Sequence, residues 1–166
     1  MPDLLTNIDI LPVEKPTDEA RALVGELDAE LSRHYDEVCR HGLSLEQIFA
    51  PGVHFFIAYV DGSAMACGGV AFQDGFVELK RMYVRPPVRG RGVSSALLER
   101  LEADARSKGV YEVKLETGDK QAAALRFYER QGYRRCQAFP PYTRLDPVSI
   151  ATSVFMSKRL ADVSAD

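Results

Sequence analysis

Two Asp-Gly pairs, Asp61-Gly62 and Asp74-Gly75, divide residues 53–84 into the apolar stretches VHFFIAYV, AMACGGVAF and FVELKRMYV. Asp-Gly readily takes the positive φ angles of a hairpin turn, so the pattern predicts three consecutive antiparallel strands over 53–60, 64–72 and 76–84. Pro86-Pro87 ends the third. Before this meander, IDILPV (8–13) alternates as a strand does. Pro16-Thr17 then opens a helix with Ala20, Leu23, Val24, Leu27 and Leu31 at helical spacing. Ser44 with Gln47 makes a capping box for a short helix, SLEQIF.

After the meander, Val93, Leu97, Leu101 and Ala105 form the apolar stripe of a helix, with Leu98 beside it and Gly109 as its stop. VYEVKLE (110–116) reads as a strand and KQAAALRFYERQ (120–131) as a helix stopped by Gly132. YRRCQ and SIATSVFMS read as two closing strands around the proline-rich loop AFPPYTRLDP. The order of elements predicts a mixed α/β sheet in a single domain spanning residues 1–166, with 161–166 as a loose tail.

Composition narrows the function classes. A chain of 166 residues suits one core of ordinary size, and a formal charge of -3 gives no electrostatic footprint for sequence-independent binding of nucleic acid. The N-terminal stretch lacks a basic region followed by an apolar run, and no apolar run approaches the roughly 20 residues that span a bilayer. The expectation is a cytoplasmic protein without membrane partners. Cys39, Cys67 and Cys136 are odd in number and lack a CxxC pair, so mostly buried reduced thiols are expected. His34, His41 and His54 have no metal-ligand spacing, and no metal is expected. Cys39 and His41 stand two apart, a spacing that does not bring helical side chains together.

VRGRGVSSALLERLEADA (88–105) poses an electrostatic problem, because Arg89 and Arg91 sit at a helix start that contains no acid before Glu99. A helix N-terminus already carries about half a positive charge and several unpartnered N–H groups. Two arginines there are unfavourable unless an anion is supplied, and Gly90 and Gly92 clear side chains from the path of a phosphate or pyrophosphate. The P-loop is excluded by the missing Gly-Lys-Ser/Thr, and the dinucleotide fingerprint by Ser95 at its third glycine. A glycine turn with solvated arginines is the alternative reading of this segment alone.

ELKRMYVRPPVRGRGVSSALL resembles the fourth strand and pyrophosphate loop of the GNAT superfamily of acyl-CoA-dependent N-acyltransferases. Arg89 and Gly92 fall on the loop pattern, with Ser94 where Gly or Ala is usual. QAAALRFYERQGY is similar to the family's later helix, through Gln121, Ala124, Phe127, Tyr128, Glu129, Gly132 and Tyr133. The resemblance covers residues 53–137. It implies a mostly antiparallel sheet of six to seven strands, with a central parallel pair splayed around the cofactor, flanked by about four helices.

The resemblance also implies roles. Acetyl-CoA would lay its pyrophosphate on the N–H groups of Arg89, Gly90, Arg91, Gly92, Val93, Ser94 and Ser95, and its pantetheine along Met82, Tyr83 and Val84. Ser94 adds a hydroxyl beside the pyrophosphate, and Pro87 stiffens the approach without removing a needed N–H. Gln121 would hold the cofactor or cap the helix. An alkylamine with a pKa near ~10 must lose a proton before it attacks a thioester. Glu78 is the first choice for that base and Glu116 the second. Tyr128 would return a proton to the CoA sulfur, and a backbone N–H near Met82 to Val84 would polarise the carbonyl. Arg81 could meet a substrate carboxylate, His34 and Tyr35 lie on the expected acceptor wall, and Tyr142 lies in the long loop. The expected activity is N-acetylation of a small-molecule primary amine. Protein or peptide N-acetylation and a non-catalytic acyl-CoA sensor are the alternatives, and homodimers have precedent in the family.

Overall fold

A computed structural model of the chain describes residues 7–162. Its seven strands form one sheet in the order β1-β2-β3-β4-β5-β7-β6. They are β1 (Ile8–Val13), β2 (Val53–Val60), β3 (Ser63–Phe72), β4 (Val77–Val84), β5 (Glu112–Gly118), β6 (Arg134–Arg135) and β7 (Ser153–Arg159). Every neighbouring pair is antiparallel except β4 and β5, which are parallel. The helices are α1 (Asp18–Ser32), α2 (Leu45–Ile48), α3 (Val93–Ser107) and α4 (Ala122–Arg130). The proposed tail lies mostly outside the described residues; Ala161 and Asp162 are exposed.

Successive side chains of β2 point to opposite faces. Phe55 and Ile57 therefore pack with Leu23 and Leu27 of α1 and Ile48 of α2, while Phe56 and Ala58 pack with Leu97 and Leu101 of α3. A strand covered on both faces reads as an unbroken apolar run, which is why periodicity over 53–60 is weak. In the first hairpin Asp61 and Gly62 both have positive φ, +50° and +86°. In the second only Gly75 does, at +86°, and Gln73 N–H closes the turn on the Phe76 carbonyl at 2.9 Å.

Both long C-terminal helix ends are closed in the same way. Gly109, at φ +75°, donates to the Arg106 carbonyl, and Val110 to the Ala105 carbonyl. This paired cap uses the N–H of Val110, so β5 begins at Glu112 rather than at the predicted residue 110. At the end of α4, Gly132 donates to Glu129 and Tyr133 to the Tyr128 carbonyl, which folds the Tyr133 ring back onto the Tyr128 ring at 5.7 Å between centroids. Of the closing strands, YRRCQ contributes only Arg134–Arg135. Residues 149–152 make turns instead of strand, with Ser149 N–H on Asp146 and Ser153 N–H on Ile150. Only Cys67 of the cysteines is fully buried; Cys39 and Cys136 are half-buried.

The irregularity that shapes the molecule is in β4. Lys80 lies opposite Gly69 and Tyr83 opposite Cys67, so Arg81 and Met82 together face the single residue Gly68. Arg81 takes φ +58°, a left-handed conformation that costs a non-glycine residue roughly 1–2 kcal/mol. Gly68 has to lack a side chain, because a Cβ there would come within 2.5 Å of Met82 Sδ. β4 and β5 part even before this bulge: their pairing is limited to Val77↔Val113 and Glu78↔Lys114. The bulged strand is tied down by α1. Arg81 Nη2 meets Asp28 at 2.6 Å, and Arg85 grips Glu26 through two nitrogens, at 3.0 and 2.6 Å.

Candidate active site

The parting of β4 and β5 opens two connected cavities. An inner one of about 150 Å³ lies between Leu79–Met82 of β4 and Leu115–Gly118 of β5, roofed by the segment that follows α1. An outer one of about 480 Å³ runs from Met82–Val84 to the start of α3 and along α4. Leu27, Met82, Gln121, Ala124 and Tyr128 border both.

The inner cavity is lined by ionisable groups. Glu116 is on its wall, and its carboxylate accepts from Ser153 Oγ at 2.5 Å. Burial, the largest influence, raises the Glu116 pKa above the ordinary 4.5, against the opposing pull of Ser153, His41 and Lys80. Glu78 lies one layer deeper, 2% exposed and outside the cavity lining. Its Oε2 accepts from the Tyr142 hydroxyl at 2.5 Å and from Lys80 Nζ at 3.2 Å. Lys80 also donates to the Tyr142 hydroxyl at 2.9 Å and to the His41 carbonyl at 3.0 Å, which uses its three protons. Burial and the adjacent Glu78 charge push the Tyr142 phenol well above its ordinary range, so it stays protonated and donates.

His41 lines the same cavity and stacks edge-on against Tyr142 at 5.4 Å. Its Nε2 is 2.7 Å from the Ser149 carbonyl, which can only accept, so Nε2 carries the hydrogen. A neutral ring then presents Nδ1 as an acceptor. Tyr35 reaches across from the end of α1, accepts from the Lys120 N–H at 2.8 Å, and fills the space over Gly118, where a Cβ would come within 2.0 Å of its hydroxyl. Burial is the main cause that raises its pKa.

Tyr128 stands at the junction of the two cavities, 7% exposed, with Phe127 at 5.2 Å and Tyr133 at 5.7 Å between ring centroids. Its hydroxyl has no hydrogen-bond partner among the described residues, and burial pushes its pKa well above the ordinary 10. A tyrosine held neutral with a free O–H at a cavity junction is a proton donor awaiting an acceptor.

At the far end of the outer cavity, α3 starts at a bare N-terminus. Gly92 is the cap residue at φ +83°, with no side-chain cap and no acid in the first turn. Space beside both Gly90 and Gly92 is open, so an anion can approach the backbone. Arg89 is held away from that end, with Nε on the Val84 carbonyl at 2.8 Å and Nη2 3.4 Å from Glu30 of α1. Arg89 is thus compensated within the chain, while Gly92, Ser94 and Ser95 of the α3 start border the cavity.

Residues 19–133 match the Acetyltransferase (GNAT) family. The chain belongs to the GNAT acetyltransferases. It is an acyltransferase by family, 35% identical over 158 residues to an IAA acetyltransferase of Azospirillum brasilense, an alignment that covers 94% of this chain and all of that protein. An aminoalkylphosphonate N-acetyltransferase of Salmonella typhimurium is 30% identical over 141 residues, 76% of this chain and 89% of that one. Among solved structures, one assigned as an acyl-CoA N-acyltransferase, from Klebsiella pneumoniae, superposes with a TM-score of 0.78 at 35% identity, covering 93% of this chain and 98% of the other.

Within this GNAT fold the structure sorts the residues singled out from sequence. Met82, Tyr83, Val84, Arg89, Gly90, Gly92, Ser94, Ser95, Gln121 and Tyr128 border the outer cavity. Val93 turns its side chain into the core and offers only its N–H, and Arg91 is not part of the lining. The Ser95 hydroxyl accepts from Gln131 at 3.2 Å. Gln121 precedes α4 without capping it through its side chain. Glu116, Tyr35 and Arg81 line the inner cavity; Glu78 and Tyr142 lie behind it, and His34 is exposed and borders neither. Arg40, His41 and Lys80 line it as well, and sequence reasoning did not single them out. The turn after α1 that carries Arg40 and His41 has no periodicity to read.

Proposed function

We propose that this GNAT enzyme transfers an acetyl group from acetyl-CoA to the primary amine of a small molecule, by direct attack within a ternary complex. The observation that carries the reading is the meeting of two unlike cavities at Tyr128. The outer one pairs a bare helix N-terminus with an unpaired strand edge. The inner one is small and lined by a carboxylate.

The residues present suit the co-substrate. N–H groups of the first turn of α3, with Gly90 and Gly92 beside them, are placed to hold a pyrophosphate. The edge of Met82–Val84 that β5 leaves unpaired suits an extended amide chain laid along it as an added strand. Acetyl-CoA supplies an activated thioester carbonyl and a thiolate leaving group.

The chain's own residues would do the rest. Glu116, whose proton affinity is raised by burial, takes the ammonium proton of the acceptor in its ionised form, directly or through water. Glu78, fixed by Lys80 and Tyr142, holds the cavity floor instead. A backbone N–H of the bulged strand polarises the carbonyl. The Tyr128 hydroxyl protonates the departing sulfur. A volume of about 150 Å³ beside Glu116 favours a small acceptor group. The relatives named for IAA and for aminoalkylphosphonates support the same class.

Thiol release from acetyl-CoA, followed over a panel of small amines and N-terminal peptides, tests the reading. Turnover of small amines with sigmoid-free ternary kinetics is expected. Faster turnover of peptides than of every small amine would overturn the acceptor class. Tight CoA binding without transfer to any acceptor would leave a sensor.

A further inference from the structure

Most of the polar groups around the inner cavity have partners within the chain. Lys80 pairs with Glu78, and Arg81 with Asp28 at 2.6 Å. His41 Nε2 donates to the Ser149 carbonyl, and the Glu116 carboxylate accepts from Ser153 Oγ. Arg40 remains. It lines the cavity, and no carboxylate pairs with it among the described residues. Its Nε is buried without an acceptor, and so is Nε of Arg81, whose side chain is only 4% exposed. Two guanidinium donors left without acceptors on one cavity wall mark an incomplete polar network.

We propose that the acceptor is an amine that also carries an oxyanion, a carboxylate or a phosphonate, and that Arg40 receives this group while the amine faces Glu116 and Tyr128. The proposal rests on the acetyl-transfer reading and names its substrate class. A guanidinium suits either anion, because its planar fork matches two oxygens at once. Size agrees with charge. An engineered apolar cavity of about 150 Å³ holds benzene, so the enclosed part of the acceptor is on the order of six heavy atoms. A short aminocarboxylate or aminoalkylphosphonate fits that limit. A long polyamine does not, and it would add positive charge beside Arg40.

The test uses the whole chain, acetyl-CoA, and acceptors matched in length: β-alanine and 2-aminoethylphosphonate against propylamine, ethanolamine and putrescine. The two anionic arms are expected to exceed the others in kcat/KM by roughly 10- to 100-fold, the range for a hydrogen-bonded charged group; the better of the two identifies the anion. Arg40→Gln should remove that advantage chiefly through KM for the anionic acceptors, and Arg40→Lys should restore part of it. Equal loss with all acceptors, or a preference for uncharged or dicationic amines, overturns the inference. Calorimetry with the CoA-loaded protein separates the two failures. Binding of the anionic compounds without transfer keeps anion recognition and removes small-amine acetylation. No binding of either anionic compound removes the inference itself.

Discussion

Replacing Tyr128 by phenylalanine separates chemistry from folding in this protein, because the hydroxyl it removes has no partner to abandon. The ring is 7% exposed and packs on Phe127 and Tyr133, contacts that phenylalanine keeps. The hydroxyl borders both cavities and makes no bond that the fold relies on, so its loss should leave stability within about 1 kcal/mol of the parent. A chain of this length shifts Tm by about 2–4 °C per kcal/mol, which makes a larger change measurable. The catalytic loss is larger. A positioned general acid contributes typically 10²- to 10⁴-fold, about 3–5 kcal/mol of barrier. Single-turnover acetyl transfer, measured with saturating acetyl-CoA and acceptor, should therefore slow at least a hundredfold. Calorimetric affinity for CoA should change by less than about threefold, since a donor to the leaving group acts in the transition state. A transfer rate within threefold of the parent would refute the proton-donor role. So would a fall in Tm of several degrees together with the rate, because the hydroxyl would then have a structural partner.

Substitutions at three other positions probe the frame of the site. Arg81→Gly relieves the left-handed φ of +58° that Arg81→Ala retains, and both lose the Asp28 pair, so the glycine variant should be the more stable by roughly 1 kcal/mol in urea unfolding; equal stability would mean that the bulge is not strained. Gly92→Val forces a branched residue to φ +83° and places methyl groups in open space before the α3 N-terminus; CoA affinity should fall at least tenfold in calorimetry, and unchanged affinity would remove the anion-cradle argument. Glu116→Gln tests burial through pH. The folded pKa of Glu116 is raised above 4.5, so the native state binds the extra proton. Its stabilising share is complete below about 4.5 and is lost as pH rises through the folded value. The glutamine variant should therefore gain stability over the parent as pH climbs from 4.5 to neutrality, and lose the acidic limb of the rate profile. A stability difference that does not vary with pH would show Glu116 to be hydrated.

Local chemistry made much of the architecture readable. Hairpin turns, the Ser44–Gln47 capping box and the glycine stops after α3 and α4 are short-range devices, and each specifies backbone geometry within a few residues. The pairing of the Tyr133 N–H with the Tyr128 carbonyl explains why a Tyr, a Gly and an aromatic at this spacing form a recognisable motif. The same cap that ends the helix fixes the ring at the cavity junction. Arg40, His41 and Lys80 were not readable. They reach the cavity through a segment without period and through a strand whose alternation is interrupted at Arg81. Glu78 and Glu116 both read as strand carboxylates, with Glu78 favoured by its place in the family pattern, and their different depths in the sheet, Glu78 behind the cavity and Glu116 on its wall, are visible only in the fold.

The bulge at Arg81 links these points. β4 and β5 pair no further than Glu78, and the extra residue opposite Gly68 then bends the unpaired stretch of β4 at the cost of a non-glycine left-handed residue. The cost is met from outside the strand. Asp28 and Glu26 of α1 hold Arg81 and Arg85, and Gly42 lacks a Cβ that would come within 2.1 Å of Arg81 Nη1. The residue that bends the strand therefore has a side chain fixed by α1 and by the same turn that brings Arg40 and His41 to the cavity. Strain of this kind persists only where the surroundings over-determine it, and here the surroundings are the walls of the acceptor site.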